Sequence, residues 1–245
     1  MIRRAAVFGA SGGIGAALAA QLCADPAFGE VWLGARTSPV SPAPVSAASS
    51  ARSFAFDFAD EASLAAAAAQ IGAGGKVDLV LVATGQLQVP GGPAPETTYR
   101  ALDGANLAAL FAVNTIGPAL IAKHMLPLLP RDVPAQFAVL SAKVGSLGDN
   151  RLGGWHSYRA AKAALNMLVI NFAVELRRSH PLAVIAALHP GTVDTPLSAP
   201  FQTGLRAGQL QSPAASAAAL LDVLAQLTPE DSGGLFAWDG TRLPY

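Results

Sequence analysis

Tyr158 and Lys162 stand four residues apart in the run SYRAAKAAL, 157–165. An α-helix turns once in about 3.6 residues, so a helix through this run sets the phenol and the ammonium on one face. A neighbouring positive charge favours phenolate over phenol and lowers a tyrosine's pKa from its usual ~10. Such a pair can supply a proton near neutral pH. The same spacing is also ordinary helix decoration, and the rest of the chain has to decide between the two.

A second group lies near the start, where VFGASGGIGAAL places Gly9, Gly13 and Gly15 between an apolar run and a helical one. Glycines there allow a tight turn, close approach of the backbone to a pyrophosphate, and close packing of helix on strand. The free N–H groups of the helix start then face the phosphate charge. The same letters spell G-x-S-x-G around Ser11, the pattern of a hydrolase's nucleophile elbow. Two facts oppose that reading. An elbow borrows an oxyanion N–H from an upstream loop, yet only eight residues precede Gly9. Its histidine should follow an acidic residue late in the chain, yet the last histidine is His189.

The far end of a bound nucleotide is also legible. A second apolar run ends LGAR, with Ala35 where an acidic ribose ligand would favour NAD, and Arg36 next. An arginine suits the 2′-phosphate of NADP. NADP(H) is the preferred cofactor and NAD(H) stays open, the competing reading of Arg36 being a solvated loop residue.

These groups need elements to hold them. Apolar strand-like runs (AAVFGA, VWLGAR, SFAFDF, KVDLVLVAT, AQFAVLS, LAVIAALHP, GLFAWDG) alternate with helical stretches, including one from about Trp155 to Ser179. Seven short strands separated by helices predict an α/β fold: a Rossmann-like, doubly wound parallel sheet with helices on both faces, one domain over 1–245. TSPVSPAPVSAASSAR reads as an irregular surface excursion. GQLQVPGGPAPETT follows a strand's C-terminal end, where such sheets bind ligands.

Composition narrows the partners. With 16 basic and 16 acidic residues the chain has no net field to attract nucleic acid or an anionic membrane, which leaves a small-molecule partner. The single cysteine, Cys23, excludes an intrachain disulfide and reads as packed inside a helix; no metal site is expected. No apolar run reaches the ~20 residues of a membrane span, and MIRRAAVFGASGG reads as a first strand rather than a leader. A cytoplasmic protein is the expectation.

With both motifs placed, the chain resembles the short-chain dehydrogenase/reductase family nearly end to end. GASGGIG, with Gly9, Ser11, Gly12, Gly13, Ile14 and Gly15, is similar to its cofactor turn. FDFAD resembles its adenine-contacting motif, through Asp57 and Phe58; LVATG, with Ala83, Thr84 and Gly85, takes the place of an Asn-Asn-Ala-Gly run. VNTIGP is similar to its asparagine motif at Asn114, and HPGTVDT to the segment that holds nicotinamide, through Pro190, Gly191, Val193 and Thr195. Within the family, VGSLGDNRLGGWHSYRAAKAALN and WDGTRLP look most like the branch of sniffer-type carbonyl reductases and C-factor signalling proteins.

The resemblance implies that Tyr158 gives a proton to a substrate carbonyl as reduced nicotinamide gives hydride to its carbon. It also implies that Lys162 lowers the tyrosine's pKa and holds the nicotinamide ribose, that a carbonyl or alcohol is the substrate, and that the chain forms a homodimer or homotetramer through long helices. Asn114 has its own logic. Pro118 lacks an N–H, so the carbonyl of residue 114 loses its helical partner and needs another donor, such as a water. In the family that water leads protons to the lysine.

One departure concerns the substrate-polarising serine. VLSAKVGS puts Ala142 in its usual place, with Ser141 one residue earlier and Ser146 four later. A one-residue shift on an extended chain reverses the side chain's direction; beyond the strand's end a turn can bring either hydroxyl back. Ser141 is favoured and Ser146 stays open. The stretch 194–212 reads as a lid, which with Leu147, Leu152, Trp155 and His156 makes an apolar substrate pocket suited to an aldehyde or ketone.

Overall fold

A computed structural model describes residues 2–37, 40, 50–206 and 208–245; most of the Pro/Ser/Ala-rich stretch read as a surface excursion lies outside them. In chain order the elements are β1 (Arg3–Phe8), α1 (Gly13–Ala24), β2 (Phe28–Ala35), β3 (Ser50–Ala55), α2 (Glu61–Gly72), β4 (Leu79–Val82) and α3 (Gly104–Phe111). There follow α4 (Gly117–Met125), β5 (Ala135–Leu140), α5 (His156–Leu176), β6 (Ala183–His189), β7 (Thr192–Val193), β8 (Leu210–Gln211), α6 (Pro213–Gln226), β9 (Leu235–Ala237) and β10 (Arg242–Leu243). Eight strands form one sheet in the order β10-β9-β6-β5-β4-β1-β2-β3. Seven are parallel, as the alternating pattern predicts, and the eighth, β10, pairs antiparallel with β9 at the edge.

Period-two alternation explains why the strands read as continuous apolar runs. In β4, Val80 and Val82 join the core under α2, α4 and α5, while Leu79 and Leu81 join the core under α1 and α6. β6 divides the same way, with Ile185 and Ala187 on one side and Val184, Ala186 and Leu188 on the other. Both faces are covered, so neither carries a polar stripe. Cys23 is buried in the second of these cores.

Short polar side chains start three of the helices. Asp60 accepts from Ala62 N at 3.0 Å, Asp103 from Asn106 N at 2.7 Å, and Ser212 from Ala215 N at 3.2 Å. The residues preceding α1 and α5, Gly12 and Trp155, supply no side-chain cap. Those two helix starts belong to the site.

Between α3 and α4 the helix widens into a π turn over Ala112–Ile116, where Gly117 N donates to the carbonyl of Ala112, five residues back. The wider turn ends just before Pro118, the residue without an N–H. The continuous helical stretch Gly104–Leu128 meets the length and composition of a membrane span, a test that the core helix of a globular fold also passes. Its residues Leu110, Ile121 and Met125 are fully buried in this fold, which accounts for the apolar content.

Candidate active site

The strand order reverses between β1 and β4, and the crevice outside their C-terminal ends is where such sheets take a ligand. The glycine turn fills the β1 side. Gly9 has φ +90°, which favours glycine, and a methyl on it would lie 3.0 Å from the Ala83 carbonyl. A methyl on Gly15 would lie 2.1 Å from the Gly9 carbonyl oxygen, and one on Gly13 2.6 Å from Thr195 Cγ2. The turn therefore touches both the LVATG run and the HPGTVDT segment. Ser11, Gly12 and Gly13 are exposed at the uncapped start of α1, whereas Ile14 leans on the core.

A dinucleotide fits these residues. Thr84 Oγ1 is buried with no hydrogen-bond partner, the first N–H groups of α1 have no side-chain acceptor, and the glycines leave the backbone bare. Arg36 is exposed just past β2. Asp57 Oδ1 accepts from Ala59 N at 2.9 Å in a tight turn. The Phe58 ring packs against Phe56 at 5.4 Å and against the bare face of Gly117, so its side chain serves the core. Pro190 O accepts from Ser216 Oγ at 2.9 Å, Gly191 has φ +78° beside the Trp238 indole, and Val193 is buried.

Tyr158 and Lys162 do share one face of α5, with Lys162 Nζ 5.8 Å from the centre of the phenol ring. Both are buried, and Lys162 Nζ donates to Leu140 O at 2.7 Å. Burial pushes the Tyr158 phenol up and Lys162 down to about 7. Here desolvation outweighs the ammonium's pull on the phenol that the spacing alone suggests. Asn114, fully buried in the π turn, accepts from Gln86 N at 3.1 Å and donates to Gln86 O at 2.8 Å. A methyl placed on Gly85 would lie 3.3 Å from Asn114 Oδ1 and 3.5 Å from Lys162 Nζ. The two polar tips converge on that glycine.

Both candidate serines are engaged within the protein. Ser141 Oγ donates to Asn166 Oδ1 at 2.6 Å, and Ser146 Oγ accepts from Asp149 N at 3.0 Å; both are buried. The extended chain turns residue 141 toward α5, and Ala142 instead packs with Tyr158 and Leu87. Val144, Trp155 and Phe201 complete that apolar cluster. Ser141 thus spends its hydroxyl proton on Asn166 Oδ1, whereas Ser146 Oγ accepts its bond and keeps its own proton to give.

A cleft of about 460 Å³ opens between the loop after β4, at Gln86, Leu87 and Val89, and the stretch after β7, at Pro196, Leu197 and Phe201. β7 and β8 pair at the base of that stretch, which carries a short 3₁₀ turn at Ala199–Phe201. Phe201 stacks edge-on against Trp155 at 5.1 Å, and Trp155 against Tyr158 at 6.5 Å. Leu147 and Leu152, expected in the pocket wall, stand in solvent at 75% and 91% exposure, and His156 is half-buried as the first residue of α5.

Sequence reasoning missed Glu96. It is 4% exposed, and its carboxylate accepts from Ser157 N at 3.2 Å, from Asn106 Nδ2 at 3.3 Å and from Ser157 Oγ. Burial alone would raise its pKa, but the hydrogen bonds from Ser157 and Asn106 hold it below the usual carboxylate range. A lone acid in PGGPAPETT carries no spacing that points across sixty residues; its only signal is that α5 starts without a capping side chain of its own.

Comparison with known proteins bears on this geometry. The C-signal of Myxococcus xanthus is 36% identical over 144 residues, 59% of this chain and 81% of that protein. The 1-hydroxy-2-glutathionyl-2-methyl-3-butene dehydrogenase of Rhodococcus sp. (strain AD45) is 38% identical over 135 residues, 54% of this chain and a little over half, 56%, of that one. Among solved structures, NADPH-bound carbonyl reductase from chicken fatty liver superposes with a TM-score of 0.81 at 25% identity, over 100% of this chain and 99% of that one. Carbonyl reductase Sniffer of D. melanogaster shares the fold, with a TM-score of 0.81 at 19% identity over the whole of both chains. The family model described as short chain dehydrogenase matches residues 3–205, from the first strand into the lid. Because that match takes in the glycine turn, the tyrosine–lysine helix and the HPGTVDT segment together, the chain belongs to the short-chain dehydrogenase family.

Proposed function

We propose that the protein is an NADP(H)-dependent oxidoreductase acting between a carbonyl and an alcohol, with Tyr158 as general acid and base. The observation that carries the reading is the buried Tyr158–Lys162 pair, set with Asn114 between the glycine turn and the lidded cleft. Bound nicotinamide would supply the hydride. Tyr158 gives its hydroxyl proton to the carbonyl oxygen, and in the reverse direction the phenolate takes a proton from the alcohol. Lys162, brought to about 7 by burial, is the nearest group able to replace that proton near neutral pH. Asn114 holds the Gly85–Gln86 backbone against Lys162. In this reading a water on its main-chain carbonyl feeds the lysine.

Arg36 would meet the 2′-phosphate, and Gly9, Ser11, Gly12, Gly13, Ile14 and Gly15 the pyrophosphate. Asp57, Phe58, Ala83, Thr84 and Gly85 would line the adenosine side, and Pro190, Gly191, Val193 and Thr195 the nicotinamide. The chain acts as one catalytic domain with 194–212 as its lid, and the cleft, lined by Leu87, Val89, Leu197 and Phe201 beside the uncharged Gln86 and Gln88, favours uncharged aldehydes and ketones. Action in the cytoplasm belongs to the same reading. So does pairing into a homodimer or homotetramer, supported by the exposed apolar residues Ile116, Met167 and Val174 on the long helices.

A second reading, a nucleotide-binding signalling or regulatory protein with little turnover, is favoured by Ala142 beside the tyrosine and by the likeness to the C-signal. NADPH and NADH consumption against a panel of aldehydes, ketones and quinones, with Tyr158→Phe as control, separates the two. Tyrosine-dependent turnover supports the reductase; tight nucleotide binding with no turnover across the panel refutes it.

A further inference from the structure

Helix α5 carries Tyr158 in its first turn, yet begins in an unfavourable way. Trp155, just before it, has φ 48° and ψ 42°, and among the described residues it is the one non-glycine with positive φ. A bulky side chain in the left-handed region is strained and persists only where the surroundings impose it. An indole also cannot serve as the usual oxygen cap for the second and third N–H groups of a helix.

Glu96 meets both needs from another part of the chain. Its main-chain carbonyl accepts from Trp155 N at 2.5 Å, and its carboxylate accepts from the N–H and hydroxyl of Ser157. Ser157 is the second residue of α5, so this is an N-cap delivered in trans, one residue before Tyr158. Asn106 of α3 donates to the same carboxylate at 3.3 Å and ties it to the neighbouring helix. The Trp155 indole is held between the rings of Tyr158 and Phe201. Lys162, one turn deeper, is fixed separately through Leu140 O.

We propose that Glu96 is a positioning residue: by capping α5 and holding Trp155 left-handed, it sets where the Tyr158 hydroxyl meets the substrate carbonyl. This rests on the reading of Tyr158 as the general acid. Loss of the carboxylate frees Ser157 and lets the first turn of α5 fray around Trp155, while the main-chain bond to Trp155, the glycine turn and Lys162 stay in place. A reacting group misplaced by about 1 Å loses on the order of 10²-fold in rate.

Glu96→Gln keeps the size, removes the charge and leaves one acceptor for two Ser157 donors. Its expected effects are a fall in kcat of about 10–100-fold on the panel carbonyl that the native protein reduces fastest, NADPH affinity within twofold, and faster amide hydrogen exchange confined to residues 155–160. Ser157→Ala removes one bond and leaves the carboxylate, so it should move the same quantities less; it also serves if Glu96→Gln does not fold. Native kcat and unchanged exchange at 155–160 overturn the proposal, as does a loss of NADPH affinity equal to the loss of kcat. Localised exchange in a protein that reduces no carbonyl even as the native chain would sustain the cap and sink the catalytic reading instead.

Discussion

Replacing Lys162 with methionine removes a buried ammonium and keeps most of the stem. In the folded protein, without nucleotide, burial brings Lys162 from 10.5 to about 7. Below about pH 7 the lysine is protonated whether folded or unfolded, and the whole penalty of burying the charge falls on the folded state. Above about 10.5 it is neutral in both states and the penalty is gone. Between these limits the unfolded chain binds more protons, so stability rises with pH, by roughly 1 kcal/mol for each pH unit. Lys162→Met carries no such group, and titrations elsewhere cancel in the difference between the two proteins. Urea unfolding of both proteins at pH 6, 7, 8 and 9 reads the effect. The variant should be the more stable protein at pH 6 and 7, and its advantage should shrink by about 2 kcal/mol between pH 7 and 9. A difference that stays constant over that range would mean that folded Lys162 keeps its solution pKa and that burial does not control the pair.

Ala142→Ser places a hydroxyl in the cluster around Tyr158; since one oxyanion donor is worth ~10²–10³ in comparable sites, kcat should rise about tenfold or more. An unchanged kcat would mean that this side chain does not face the reacting oxygen. Gly15→Ala should abolish nucleotide binding, because its methyl would lie 2.1 Å from the Gly9 carbonyl oxygen; NADPH fluorescence titration checks it, and native affinity contradicts the placement of the turn. Phe201→Ala should raise KM for apolar aldehydes by roughly tenfold while leaving the Kd for NADPH alone, as expected for a ring that closes the cleft and not the nucleotide site. Equal losses in both constants would place Phe201 on the nucleotide side.

The sheet was legible because both its faces are buried, so strands appear as short unbroken apolar runs such as LVLV in β4. Edge strand β10, two residues long, carries no such signal and was passed over. Pro118 announced a disturbance in the long helix, but not that it takes the form of a π turn over Ala112–Ile116. The spacing of Tyr158 and Lys162 announced their common face but not their depth, and depth reverses the direction in which the tyrosine's pKa moves. The partner of Ser141 was not legible, because only the extended exit of the chain from β5 turns its hydroxyl to Asn166. Nothing in the sequence marks Trp155 as left-handed; it follows Gly153 and Gly154, both at positive φ.

Two residues on each side, Thr192–Val193 and Leu210–Gln211, join the two ends of the lid in a parallel pair. A loop whose ends are fastened together can be lengthened at little entropic cost, since each doubling of its length adds only about 0.6 kcal/mol. Insertions or exchanges between these strands therefore need not propagate into residues 189–191, which lead into β7. On the proposed function, the fold thus separates two tasks: substrate range would ride on the tethered loop, while the hydride-transfer geometry would rest on the sheet.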